Sequence, residues 1–289
     1  MKKLRKPDPE TLQYNLRRIM NDSSLKLPDS FLVLDLETTG VEPANGFIWQ
    51  IGLYPVMHGE PQCDPVKGST LYLKLEENQL RQATFEISRR RAKALGIPHN
   101  PKAPVNREDA GYKKAEAEFI GEVRSQGVDP REGLRTITEI VQTFVDGGHP
   151  IVMQNGAKFD LPFIEINCKK YGIDFRFPED GLVDTGMLIK AAILKRRILG
   201  NESCRKFYAR VGEERAYGVY FALERFCIPY WNMELKYNVS IAQAHDAGYD
   251  CYITKLVFGE LAAEAQGAEV VGCNDEKEIS GRHNGTAVR

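Results

Sequence analysis

Five side chains, Asp35, Glu37, Asp160, His245 and Asp250, have the types and settings from which divalent-metal chemistry is built. Asp35 and Glu37 end the apolar run Phe31-Leu-Val-Leu-Asp35-Leu-Glu37, which Thr38-Thr39-Gly40 follows. Residues two apart on a strand face the same way, and two carboxylates on one face repel unless a cation neutralises them. Asp160 closes Gln154-Asn155-Gly-Ala-Lys-Phe-Asp160 at the start of an expected helix, and His245-Asp-Ala-Gly-Tyr-Asp250 supplies an imidazole and a fourth acid. Four carboxylates gathered from distant segments suit a pair of divalent ions that stabilises the attacking and leaving oxygens of a phosphodiester displacement. Each piece also has an ordinary reading: surface acids at a strand end, an acid favoured by a helix dipole, a surface histidine. His245 and Asp250, five apart, do not share a helical stripe, and Asp184 and Asp246 compete with the four acids on spacing alone.

The elements that must position these groups alternate along the chain. Phe31–Leu34 is a continuous apolar run, expected to be a buried central strand, and the runs 48–56 and 70–75 read as two more strands in an antiparallel meander. Helical spacing over 134–146, a short strand at 150–153, a helix over 159–171 and a short strand at 181–185 follow, with further helices expected near 217–227 and 241–264. The stretch 9–20 spaces Leu12, Leu16 and Ile19 for one amphipathic helix. The expected class is α/β. The expected domain plan is a basic extension over 1–30, one domain over 31–264 with insertions near 76–133 and 186–216, and a polar, mobile tail over 265–289.

Composition sets looser bounds. A chain of 289 residues with 42% apolar and 27% charged residues can bury an ordinary core. No apolar run approaches the roughly 20 residues that span a bilayer, and the basic N-terminus has no apolar stretch behind it, so no secretory signal is expected. Cys63, Cys168, Cys204, Cys227, Cys251 and Cys273 are scattered without a C-x-x-C pair, which points away from zinc and from a disulfide framework and toward a reducing, cytoplasmic setting.

In their order and setting the motifs resemble those of the DEDD superfamily of 3′→5′ exonucleases, in its histidine-containing branch, whose members include proofreading subunits of bacterial replicases and oligoribonucleases. Asp35-Leu-Glu37-Thr-Thr-Gly resembles the first motif, Asn155-Gly-Ala-Lys-Phe-Asp160 the second, and His245 with Asp250 the third. Val183-Asp184-Thr185 also recurs after the second motif in that family. Gln154 stands where the family usually has His, and Gln50 where it often has Glu; neither position is a metal ligand there.

The resemblance implies an RNase H-like mixed sheet, a three-stranded antiparallel meander followed by parallel strands, flanked by helices. It implies two Mg²⁺ or Mn²⁺ ions, with Asp35 bridging them, Glu37 and Asp250 completing the site of the attacking water, and Asp160 holding the second ion. His245 is then the general base, and Thr38, Thr39, Gly40 and Asn155 belong to the substrate-binding set. The implied partner is a single-stranded or frayed 3′ end of DNA, with the enzyme acting alone or beside a polymerase on a separate chain. An exoribonuclease and a non-catalytic nucleic-acid-binding module are the alternatives. Two basic runs are candidates for phosphate contacts, Arg89-Arg-Arg-Ala-Lys93 and the segment 190–210, where Arg196 and Arg197 stand out. A solvated helix face is the competing reading of both. Phe207, Tyr208, Tyr217, Tyr220 and Phe221 suit either base stacking or a core.

Overall fold

The structure, a computed structural model, describes residues 7–21, 24–100, 103–214, 232–240 and 245–267. Its centre is β1 (Phe31–Thr38), in which Phe31 to Leu34 are all buried, as a strand covered on both faces requires. β1 pairs antiparallel with β2 (Ile48–Met57), setting Asp35 opposite Gly52 and Glu37 opposite Gln50. On its other side β1 runs parallel to β5 (Ile151–Met153), which runs parallel to β6 (Leu182–Asp184). The third strand of the meander is split into β3 (Glu60–Pro61) and β4 (Ser69–Tyr72), both antiparallel to β2. The strand order β3-β2-β1-β5-β6, with β4 also on β2, is the mixed six-stranded sheet expected of an RNase H-like fold.

Helices cover this sheet in two packing units. The main core takes α1 (Pro9–Met20), α5 (Pro130–Asp146), α6 (Asp160–Lys170), α7 (Thr185–Leu194), α8 (Cys204–Glu213) and α10 (Ala247–Ala265). Leu12 and Leu16 of α1 are fully buried in it, because their spacing lays one apolar stripe against α7 and α10. A second, smaller core surrounds Trp49 on β2 and is built by α2 (Glu77–Leu80), α3 (Thr84–Ala94) and α4 (Ala110–Gln126), through Leu80, Ile87, Tyr112 and Phe119. The five-residue α9 (Met233–Tyr237) lies beside α10, with Lys236 paired to the buried Glu260 at 2.6 Å.

Three stretches bear on the sequence expectation. Residues 185–194 are a helix whose side chains are buried almost all round, so this part of the 186–216 segment is core. Phe207 and Tyr208 of α8 are likewise buried, and the Tyr208 hydroxyl donates to the Leu182 carbonyl at 2.9 Å; they are not open to a base. The described part of the last helix begins at Ala247, where Asp246 caps it by accepting the Tyr249 N–H at 3.1 Å; residues 241–244 lie outside the described residues. The helix expected near 217–227, Tyr217, Tyr220, Phe221, Cys227 and the tail beyond 267 lie outside the described residues. Among the described residues no helix is long and apolar enough to cross a membrane.

Candidate metal-binding active site

β1 and β5 run in the same direction, so their C-terminal ends lie at one edge of the sheet, and chemistry collects there. Asp35 and Glu37 end β1; Asp160 opens α6, just beyond β5. The first turn of α10 brings Asp250 and delivers His245 immediately before the helix. Three glycines allow that approach. A Cβ at Gly52, the partner of Asp35, would lie 2.0 Å from the Ala247 carbonyl oxygen. A Cβ at Gly248 would lie 2.5 Å from the Lys67 carbonyl oxygen, and one at Gly68 2.7 Å from that of Gly248. Any side chain at these places would push α10 away from β2. The buried Gln50 seals the contact, its Oε1 accepting the Ala247 N–H at 3.2 Å.

His245 is held outside the helix by its own backbone. Its φ of 71° is left-handed, a region in which histidine is several-fold enriched among non-glycine residues. Its N–H donates to Asp250 Oδ2 at 3.0 Å, and its Nδ1 lies 3.5 Å from Glu37 Oε1. The five-residue spacing that no helical stripe accommodates is thus bridged by a turn in which Asp250 orders the histidine. Glu37, His245 and Asp250 each present a potential ligand atom, all within 4.8 Å of one another.

The electrostatics of this edge are those of negative charge crowded out of water. Burial pushes the Asp35 carboxyl well above its ordinary range, and Asp160, Asp250, Glu37 and Asp246 raise it further. Asp160 is pushed up to about 8, first by burial and then by Asp184 and Glu37. Its Oδ1 is buried with no hydrogen-bond partner. A buried, unpartnered carboxylate oxygen beside like charges fits a bound cation, and an all-carboxylate set fits hard cations such as Mg²⁺ or Mn²⁺. The residues present therefore suit the metals expected of them.

Asp184 separates cleanly from the other acids. It caps α7 by accepting the Met187 N–H at 3.0 Å, and it also accepts the N–H groups of Asn155 and Ala157, each at 2.9 Å. Its carboxyl, raised by burial to about 6, is held down from a larger rise by these backbone donors. Thr185 Oγ1 adds hydrogen bonds to the Met153 carbonyl, at 3.1 Å, and to Gln154. The Val183-Asp184-Thr185 element thereby fixes the loop that presents Asp160.

The remaining candidates fall in several places. Thr38 Oγ1 donates to the Gly40 carbonyl at 2.6 Å, while Thr39 is buried with its Oγ1 accepting the Phe47 N–H at 3.0 Å; both side chains close the turn after β1. Gly40 is exposed, with open space around it. Asn155 is left-handed, with a φ of 59°, and packs against Gly186, where a Cβ would lie 2.2 Å from its Oδ1. Arg196 and Arg197 are not brought to this edge. They follow the far end of α7, where Arg196 pairs with Glu214 at 2.7 Å and Arg197 lies over Tyr14 of α1. That helix reaches the other end of α10, with Gln13 donating to the Ala265 carbonyl, a point about 22 Å along the helix from Asp250 at 1.5 Å per residue.

The other basic run does approach the site. Arg89, Arg90 and Lys93 line an open cleft of about 540 Å³ with Lys67 and Tyr249, and the cleft also touches His245. Arg89 and Arg90 share the buried Glu86, at 2.7 and 2.6 Å, so the run is partly neutralised where it stands. Sequence reasoning passed over Gly52 and Gly248, which the pairs Ile51-Gly52 and Ala247-Gly248 signal as sites of close backbone approach, and it passed over Phe85, whose ring meets that of His245.

No protein-family model matches the chain, and no curated protein does. Solved structures of exonuclease I are similar to it. The E. coli enzyme in complex with a dA16 oligonucleotide is 17% identical with a TM-score of 0.45, over 83% of this chain and 42% of that one. A product-bound exonuclease I is 15% identical with a TM-score of 0.45, over 83% of this chain and 45% of its own. The apo enzyme is 13% identical with a TM-score of 0.34, over 74% and 48%. The chain thus spans less than half the length of these proteins. Likeness at this level carries no chemistry, which rests on the side chains.

Proposed function

We propose that the protein is a metal-dependent 3′→5′ exonuclease that hydrolyses phosphodiester bonds from the 3′ end of DNA, with Asp35, Glu37, Asp160 and Asp250 as ligands to two Mg²⁺ or Mn²⁺ ions. The observation that carries the reading is Asp35. It stands at the end of a buried central strand among three further carboxylates drawn from β1, α6 and α10, and each of them raises its pKa. A fold that gains nothing from bound cations has no reason to hold four acids there, since each disfavours the ionised form of the next. When bound, the ions lower the pKa of the attacking water and stabilise both oxygens of the displacement.

The chain supplies the rest. His245, ordered by Asp250 and facing Glu37, accepts the proton of the attacking water, a role worth about 10²–10⁴-fold in rate. The turn Thr38–Gly40, which directly follows Glu37, is closed by its own hydroxyls and leaves its glycine exposed, so that a strand terminus could approach the backbone closely. The test is direct: purified protein is given 3′-labelled and 5′-labelled DNA and RNA oligonucleotides with Mg²⁺, Mn²⁺ or EDTA. Metal-dependent release of the 3′ label before the 5′ label, on DNA, is expected. Preference for RNA would make it an exoribonuclease, and oligonucleotide binding without cleavage in any metal would make it a non-catalytic nucleic-acid-binding module.

A further inference from the structure

We infer that Phe85, at the start of α3, is a positioning residue for His245 and couples the small Trp49 core to the chemical step; the inference rests on the exonuclease reading above. Phe85 and His245 meet edge to face, with ring centroids 4.9 Å apart and planes at 69°. That separation and angle are those at which aromatic rings attract through quadrupole and dispersion, and they fix the tilt of both planes. His245 is unlike the carboxylates beside it. Asp35 and Glu37 are carried on a paired strand, and Asp160 and Asp250 on helices, whereas His245 precedes α10 in a left-handed turn. Its backbone is tied to Asp250 and one ring edge faces Glu37; Phe85 meets the ring from a third direction and from a separate packing unit.

Phe85 is well placed to be rigid although 40% of it is exposed. The turn of α3 that carries it is anchored by Ala83 and Ile87, both buried in the small core. Glu86, next in sequence, is buried and binds Arg89 and Arg90, and Arg90 also pairs with Glu122 of α4. On its other side Phe85 meets His99 at 4.9 Å and 81°, which brackets it within the segment that follows α3. The helices over 76–126 therefore do more than cover one face of the sheet. They hold one aromatic wall of the position from which a proton is taken, where an error on the order of 1 Å costs up to about 10²-fold in rate.

The experiment combines kinetics with a reading of the ring itself, on the full chain. Phe85→Ala is expected to lower kcat by about 10-fold or more with KM within about twofold, because the loss is of orientation and not of substrate binding. Phe85→Tyr keeps the ring and is expected to restore kcat. In histidine-labelled protein, the ring protons of His245, assigned with His245→Gln, are expected to shift in Phe85→Ala and stay in place in Phe85→Tyr, because the facing ring perturbs their shielding. A raised KM with intact kcat would make Phe85 a substrate contact and overturn the inference, as would an unmoved His245 resonance. Absence of hydrolysis by the wild type would overturn the functional reading instead, and the resonance would still decide whether the rings meet.

Discussion

Asp160 and Asp184 are both buried aspartates, each at the first turn or cap of a helix that follows a parallel strand, yet they are built for opposite ends. Asp184 receives three backbone N–H groups within 3.0 Å, so that burial raises it only to about 6. Asp160 has one buried oxygen without a partner, lies beside other acids and is raised to about 8. Burial is common to both and so identifies neither. What differs is the partner set: donors around one carboxylate make it a fastener, and like charges around the other make it a place for a cation. The same difference separates the acidic edge of the sheet from the rest of the molecule, where buried acids such as Glu86 and Glu260 have arginine or lysine beside them.

The largest effect should come from removing the acid at the centre of the crowded set. Asp35→Ala is expected to take hydrolysis to background while the far-ultraviolet circular dichroism stays native, because the group facing all the other acids is lost. Near wild-type turnover would mean that the acids at this edge are not the reactive centre.

The two aspartates should also part in stability against pH. A carboxyl whose folded pKa lies above its unfolded value favours folding fully below about pH 4, and that contribution is lost as pH rises through the folded pKa. For Asp160 the window runs up to about 8. In EDTA, wild-type protein is therefore expected to lose melting temperature between pH 5 and pH 8 more steeply than Asp160→Asn, whose amide does not ionise. Mg²⁺ or Mn²⁺ should return the loss at pH 8 in the wild type and do less in the variant. Equal pH slopes for the two proteins without metal would remove the claim that Asp160 is held against its charge.

Asp184→Asn should show the reverse. An amide cannot receive all the donors that the carboxylate does, so the change is expected to cost about 1–3 kcal/mol in denaturant unfolding. It should also loosen the 154–157 loop and lower activity through the placement of Asp160. A stabilised variant would mean that the backbone donors do not outweigh the burial of the acid.

How far these distinctions were visible in the sequence depends on the range over which each is set. Asp35, Glu37, Asp160, His245 and Asp250 stand out because local patterns surround them: an apolar run, a glycine turn, a helix start. The antiparallel meander follows from the same runs, while the parallel strands beside it were implied by the resemblance of the motifs. Asp184 could not be told from Asp160 by spacing, because two of its three partners are N–H groups 29 and 27 residues away that a fold alone can bring near. Phe85 was unreadable for the same reason: its partner is 160 positions downstream, and nothing in Thr84-Phe-Glu-Ile marks the ring that it will meet. The basic runs were the least legible, because lysine and arginine crowd wherever a helix meets water, and charge alone does not say which end of the sheet a helix has reached.

The smallest effect is expected where the two basic runs are compared. Arg196 and Arg197 are about half exposed, pair with Glu214 and Glu10, and stand at the end of the molecule away from the acids. Arg89, Arg90 and Lys93 border the cleft that touches His245. On a single strand, each cation that neutralises a phosphate steepens the slope of log affinity against log salt by about 0.7. Arg196→Ala with Arg197→Ala should thus leave that slope and the binding of single-stranded DNA within about twofold of wild type. Lys93→Ala, on the side of the site, should flatten the slope. The measurement is fluorescence anisotropy of a labelled oligonucleotide in Ca²⁺, across a salt series. If the double variant flattened the slope and Lys93→Ala did not, the strand would have to run over α1 and the far end of α7, and the position of the basic groups relative to the acids would no longer say where the nucleic acid lies.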